Sequence, residues 1–340
     1  MRLPKIVSLF SGAGGLDHGF SEAGFPISLA VDQSVPAIET HKANFPQTTS
    51  IAADLTRLGS DGIIAALTPL LALGERIGVI GGPPCQGFSR ANTTAVATDP
   101  RNALPLLYLE IVEALQADYD VRFVLFENVL GIRDLKHEKA FSAIRTKLGE
   151  LGFAERVTEY CALDYGVPQT RRRVVISAFR SQAVLKAFVP VPVTSKELDV
   201  RSAIGGLPEP QYYSRGLRPD DIPFHPNHWT MRPVSKRFVE PVTATKSTRS
   251  FKRLAWDRPS PTVAYGHREI HVHPDGHRRL SIYEAMMLQG FPATFVLSGS
   301  LSAQVDQVSN AVPPPLALAL ALATRTALAQ ARNPCLRRSS

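Results

Sequence analysis

Cys85 stands where a nucleophile is best placed. The apolar run Ile77 to Ile80 reads as a buried strand, and Gly81-Gly82-Pro83-Pro84 stops it sharply. Glycine lets backbone approach a ligand closely, and proline fixes φ in the turn. The cysteine follows this stiff corner at the carboxyl end of a strand, where open α/β sheets bind ligands. A lone cysteine is more often a small buried hydrophobe. Its neighbours Gln86, Gly87 and Ser89 are polar or small, which argues against simple packing.

Other reactive groups occupy comparable positions. Glu127 ends the apolar run Val121 to Phe126. A half-buried carboxylate there can donate a proton near neutrality, although a capping or salt-bridged glutamate would read the same. Gln169-Thr170-Arg171-Arg172-Arg173 opens a later strand. Alternation points Arg171 and Arg173 one way and Arg172 the other, so one face can bind phosphate or orient a carbonyl while Arg172 suits a solvated edge. Phe10-Ser11-Gly12-Ala13-Gly14-Gly15 lies between a strand and a helix, with Asp32 some 20 positions beyond Gly12. That spacing suits an adenosine ligand, either NAD or S-adenosylmethionine, with the carboxylate on ribose hydroxyls. Asp32 and Asp54 also read as helix or turn caps.

Strand-helix alternation must position these groups. Strands are expected at Lys5–Phe10, Ile27–Val31, Thr49–Ala53, Ile77–Ile80, Val121–Phe126, Ala154–Leu163 and Arg173–Phe179. Helices are expected from the glycine turn to about Gly24, and over Val35–Phe45, Ile63–Leu73, Leu106–Leu115 and Phe141–Leu151. This alternation predicts a doubly wound, mostly parallel sheet of α/β class with right-handed crossovers. From about Ser181 prolines break the pattern, and basic and aromatic residues interleave. A smaller, irregular, β-rich domain is expected there. Helices return at Leu280–Gly290 and Pro315–Ala329, the last packing back onto the sheet. The expected division is 1–180, 181–299 (most variable over 181–258), 300–332 and a basic tail, 333–340.

Composition narrows the class. The 340 residues are 44% hydrophobic, enough for a substantial core. A net charge of +8 favours a polyanionic partner. Cys85, Cys161 and Cys335 form no CxxC pair, which fits a reducing cytoplasm and no structural zinc. His267, His271, His273 and His277 flank a Pro274-Asp275-Gly276 turn and are expected on a solvated hairpin, not on a metal. Glycines and Asp17 interrupt the apolar start, and Leu316–Ala323 is too short to span a bilayer, so no membrane is expected.

Together these motifs resemble the DNA cytosine methyltransferases that modify carbon 5, typical of bacterial restriction-modification systems. The resemblance covers nearly the whole chain. It rests on Phe10 to Leu16, Gly82 to Ser89, Asp99-Pro100-Arg101-Asn102, Glu127-Asn128-Val129 and Gln169 to Arg173. Arg278 to Ser281, Gln289-Gly290-Phe291-Pro292 and Asn310-Ala311-Val312-Pro313-Pro314 complete it. Ser309 stands where the family commonly has glycine.

The resemblance implies that Cys85 adds to cytosine carbon 6, that Glu127 protonates or hydrogen-bonds nitrogen 3, and that Arg171 and Arg173 orient the base and its phosphate. It implies S-adenosylmethionine at Phe10, Ser11, Gly12, Gly14, Asp32, Asp54, Pro83, Asn310 and Val312, with no metal. Double-stranded DNA would be held by Gln86, Ser89, Arg90, Arg101, Arg249, Lys252 and Arg253, with the target nucleotide flipped out of the duplex. A monomer is expected, with any cognate restriction endonuclease acting separately. Three alternatives stay open. They are a tRNA cytosine methyltransferase, a non-catalytic DNA-binding regulator and a dehydrogenase, the last having no use for Pro83-Pro84-Cys85.

Overall fold

A computed structural model describes residues 2–84, 103–193, 198–234, 238, 252–262, 264–265 and 269–331, by backbone alone at 264–265 and 269–270. The chain divides into two units. One comprises Met1–Tyr160, Arg172–Val191 and Ala317–Ser340; the other comprises Cys161–Arg171 and Pro192–Leu316.

The first unit alternates as expected. Its elements begin β1 (Lys5–Leu9), α1 (Gly15–Glu22), β2 (Ile27–Asp32), α2 (Val35–Asn44), β3 (Thr49–Ala52), α3 (Leu55–Leu67), β4 (Arg76–Gly81) and α4 (Leu104–Asp118). They continue with β5 (Asp120–Asn128), α5 (Glu138–Glu150) and β6 (Ala154–Cys161). After the two-residue β7 (Gln169–Thr170), which belongs to the second unit, the first unit resumes with β8 (Arg172–Phe179) and α6 (Gln182–Ala187). The sheet order is β3-β2-β1-β4-β5-β8-β6. The pairs from β3 through β5 are parallel, and β8 runs antiparallel to β5. This is the expected mostly parallel, doubly wound sheet. Strand order reverses between β1 and β4, the switch point where such sheets bind ligands.

Apolar burial on both faces fixes this register. Val7, Leu9, Val31, Val79, Val124 and Phe126 join one cluster with Tyr108, Leu109 and Val112 of α4. Elsewhere Phe123 contacts Phe20, Phe25 and Phe179 at centroid distances of 6.0 Å. Gly78 is required under that stack, because a Cβ there would lie 2.2 Å from the Phe123 ring.

Helix α3 differs from expectation. It begins at Leu55, well before Ile63, because the Asp54 carboxylate accepts from the Thr56 N–H at 2.9 Å and hydroxyl at 2.7 Å. Gly59, at φ 62°, then kinks it.

The second unit carries α7 (Val200–Ile204), β9 (Gln211–Tyr212), β10 (Trp229–Thr230), β11 (Ser260–Pro261), β12 (Ala264–Tyr265), β13 (Glu269–Ile270), α8 (Ile282–Leu288) and α9 (Leu301–Asn310). Helix α10 (Pro314–Gln330) starts in this unit and continues into the first from Ala317. There Gly19 lies against it so closely that a Cβ would sit 2.2 Å from the Leu318 amide nitrogen.

The histidine expectation needs correction. The turn at Gly276 exists, with φ 87°, but His271 and His273 are buried at 1% and 5% exposure. His271 Nε2 lies 2.9 Å from the Thr262 carbonyl, and the Trp256 ring meets His273 edge-on at 5.2 Å. Burial pushes the His271 imidazole down to about 4. The buried Glu284 explains why His273 points inward: its carboxylate is 3.7 Å from His273 Nε2 and pairs with Arg278 at 2.9 Å. Sequence spacing located the turn but not the buried acid beneath it. His277 is exposed, and His267 lies outside the described residues.

Candidate functional site at the strand ends

Two adjacent strand ends build the first corner. Gly81 of β4 is in register with Phe126 of β5, so Gly82 and Glu127 emerge side by side. A Cβ on Gly82 would lie 2.6 Å from Glu127 Oε2. Glu127 is 8% exposed, and its Oε1 is 2.8 Å from Arg173 Nε. Burial lowers the Arg173 guanidinium pKa, and the Glu127 charge opposes that shift.

Asn128 Nδ2 donates to the Pro83 carbonyl at 3.3 Å, while its Oδ1 accepts from the Val129 N–H at 2.7 Å. Beneath the corner the Tyr108 hydroxyl lies 3.2 Å from the carbonyls of both Val79 and Leu125. Asn128 thus ties Pro83 to the end of β5, and Tyr108 bridges β4 and β5 below it. Sequence reading gave Tyr108 and Asn128 no role. A tyrosine on an otherwise apolar helix face was the available signal, since a buried phenol needs a polar partner. Gly82→Ala is expected to push against a carboxylate that Arg173 already pins. A loss of about 1–3 kcal/mol of unfolding free energy should appear as a lower urea midpoint.

The glycine turn forms the second corner. Phe10 has φ 54°, the one positive φ outside glycine among the described residues. Gly12 and Gly14 follow at φ 55° and 92°. The Ser11 N–H donates to the Val31 carbonyl at 3.1 Å. Asp32 is no helix cap, because Ser34 caps α2. Instead Asp32 Oδ2 accepts from the Gly12 N–H at 2.9 Å and Oδ1 from the Ser34 N–H at 2.8 Å. Burial still raises the Asp32 carboxyl above its ordinary value, outweighing those two bonds.

A part-buried carboxylate raised above its ordinary value, beside a glycine whose Cβ position faces open space, suits the hydroxyls of a ribose. The residues present therefore fit S-adenosylmethionine. Asp54 is half-exposed and held below its usual range by Thr56. It caps α3, leaving its other candidate role without further support.

The remaining described candidates lie in the second unit. Arg171 is wholly buried, and its Nη2 donates to the Ser309 carbonyl at 2.6 Å. Gln289 Nε2 donates to the carbonyls of Val308 and Ala311, at 2.7 and 2.9 Å. These are carbonyls at the end of α9, which intrahelical bonds leave unmet. A cation at this end also meets the negative pole of the helix. The turn so held carries Asn310, exposed, and Val312, buried. Ser309 thus contributes its backbone, which any residue supplies. Gln169 is fully buried, and among the described residues its amide has no partner. Lys252 is exposed, and Arg253 donates to the Pro274 carbonyl. Arg172 is in the first unit, exposed and paired with Glu159 at 2.8 Å. Cys85, Gln86, Ser89, Arg90, Arg101 and Arg249 lie outside the described residues.

The sheet and its two strand-end corners define the fold of the S-adenosylmethionine-dependent methyltransferases. A family model described as C-5 cytosine-specific DNA methylase matches residues 4–325. The chain belongs to that family and is an enzyme of the DNA (cytosine-5-)-methyltransferase class. It is 32% identical to the type II methyltransferase M.MthTI of Methanothermobacter thermautotrophicus, over 92% of this chain and 94% of that one. It is also 32% identical to M.FnuDI of Fusobacterium nucleatum, over 92% of each. A solved E. coli structure, described as a prophage-encoded DNA modification methyltransferase, superposes with a TM-score of 0.78. It is 24% identical, with 96% of this chain and 100% of that one covered, and supports the fold alone.

Proposed function

We propose that this chain methylates carbon 5 of a specific cytosine in duplex DNA through a covalent adduct of Cys85 with a flipped-out base. The observation that carries this reading is the corner where Glu127, paired to Arg173 at 2.8 Å, abuts Gly82 just ahead of Cys85. Carbon 5 of cytosine is a poor nucleophile. Addition of the Cys85 thiolate to carbon 6 converts it into an enamine-like carbon. Glu127 holds or donates a proton at nitrogen 3, so negative charge does not accumulate there. Arg173 fixes the Glu127 carboxyl. Arg171 acts through the end of α9, positioning Asn310. Phe10, Ser11, Gly12, Gly14, Asp32 and Pro83 would hold S-adenosylmethionine, which would supply the methyl group for carbon 5. Loss of the carbon 5 proton and elimination of the thiolate then restore Cys85.

Lys252, Arg253 and the basic residues around Arg249 hold phosphates and read bases. The chain acts as a monomer in the cytoplasm and protects DNA from a separate restriction endonuclease. Bisulfite sequencing of DNA from cells expressing the chain is the direct test. Protected cytosines in one short sequence context are expected. Methyl incorporation into tRNA and not into duplex DNA would end this reading.

A further inference from the structure

Four polar side chains beneath the glycine turn serve no step described so far. Ser8 Oγ on β1 donates to Asp17 Oδ2 on α1 at 3.0 Å. Asp17 Oδ1 lies 3.3 Å from His41 Nε2 on α2. His41 Nδ1 lies 2.8 Å from Ser50 Oγ on β3. The Asp17 and His41 side chains are both completely buried. An ionised Asp17 only accepts, so His41 Nε2 carries the hydrogen between them.

We infer that this buried Ser8–Asp17–His41–Ser50 chain positions the glycine turn for the cofactor. The inference rests on the reading that the turn binds S-adenosylmethionine. The chain ties together the four elements around the turn. His41 also forms its floor. A Cβ on Gly14 would lie 2.9 Å from His41 Cδ2 and 2.4 Å from Phe45 Cε2. The His41 and Phe45 rings stack with centroids 4.3 Å apart. The location of His41 therefore sets where Gly14 rests. Gly14 in turn follows Gly12, whose N–H holds Asp32 at 2.9 Å. Asp32 also responds to both partners, His41 lowering its carboxyl and Asp17 raising it.

Stability alone does not account for such a pair. Well-packed apolar residues of similar volume replace buried ion pairs at little or no cost in many proteins. Hydrogen bonds, unlike apolar contacts, fix distance and direction, and those are what a cofactor turn needs.

Three full-length chains test the inference. Each is titrated calorimetrically with S-adenosylmethionine in the absence of DNA, and its urea midpoint is recorded. Asp17→Asn keeps an acceptor for His41 Nε2 and a polar group opposite Ser8. It is expected to bind within about threefold of the natural chain, on the scale of a neutral replacement for a charged hydrogen bond. Asp17→Asn combined with His41→Phe keeps the aromatic floor under Gly14 but removes the bonds through His41. Its affinity is expected to fall about tenfold or more, equivalent to about 1.4 kcal/mol, with KM for the cofactor raised and kcat little changed. Affinity equal to the natural chain in the folded double variant would overturn the inference. An equal loss in Asp17→Asn alone would also overturn it, because charge and not position would then be the cause. If the natural chain itself took up no S-adenosylmethionine, the cofactor reading would fail first, a result separable from either.

Discussion

Cys85→Ala is expected to abolish methyl transfer while leaving duplex DNA binding within a few-fold of the natural chain. The two halves of this expectation have separate physical origins. Methyl transfer needs a soft nucleophile that adds to carbon 6 and leaves again. A free thiol with pKa near 8.5 is only a few per cent thiolate at pH 7, yet it remains intrinsically strong. A methyl side chain offers no substitute, and bound water is a far weaker nucleophile. Removing the nucleophile from a covalent enzyme costs on the order of 10⁴- to 10⁶-fold in kcat. DNA affinity arises elsewhere. Phosphate contacts dominate it, and the chain carries a formal charge of +8. Tritiated-methyl incorporation and fluorescence anisotropy at fixed salt measure the two halves on the same preparation. A duplex containing 5-fluorocytosine adds a positive control, because fluorine cannot leave as the proton does. The natural chain should form a stable crosslink at Cys85, and Cys85→Ala should form none. Turnover by the alanine chain would remove the covalent step altogether.

Much of this site was legible in the sequence because strand ends are. Apolar runs ended by Gly81-Gly82, by Asp32 and by Glu127 located the carboxyl edge of the sheet, and the structure places all three there. What sequence reading missed were groups whose partners are distant in the chain. Asn128 meets Pro83 from 45 residues away, and Tyr108 reaches Val79 and Leu125 across two strands. Asp17 and His41 sit on unremarkable helical positions and acquire meaning only as a pair. Helix α9 escaped notice because Gln304, Asp306 and Gln307 dilute its apolar spacing, although Gln304 and Gln307 are buried. The opposite error arose at His271 and His273, where a turn signal was taken to mean solvent. Each miss has one cause. Local pattern reports the period of an element but not the charge or ring that packs against it.

Glu127→Gln tests the other half of the chemistry and requires a control that separates catalysis from folding. The substitution removes the group proposed to protonate nitrogen 3. A lost general acid slows a reaction by roughly 10²- to 10⁴-fold. It also deprives Arg173 of its counter-charge, and the two side chains are only 10% and 12% exposed. Removing one member of a buried pair destabilises a protein by about 3–5 kcal/mol, a figure to be reduced here because some solvent reaches both groups. A slow Glu127→Gln enzyme could thus be merely a poorly folded one. Glu127→Gln with Arg173→Gln resolves the two effects. Both charges leave together, so the urea midpoint is expected to recover most of the lost stability. Methyl transfer is expected to stay at least about 100-fold down, because no carboxyl has returned. Arg173→Gln alone leaves the carboxyl present but no longer fixed by its ion pair. Its defect should be smaller than that of Glu127→Gln if the carboxyl is the chemical participant, and larger if the guanidinium is. Recovery of activity together with stability in the double variant would reduce Glu127 to an ion-pair partner, and the proton at nitrogen 3 would need another source.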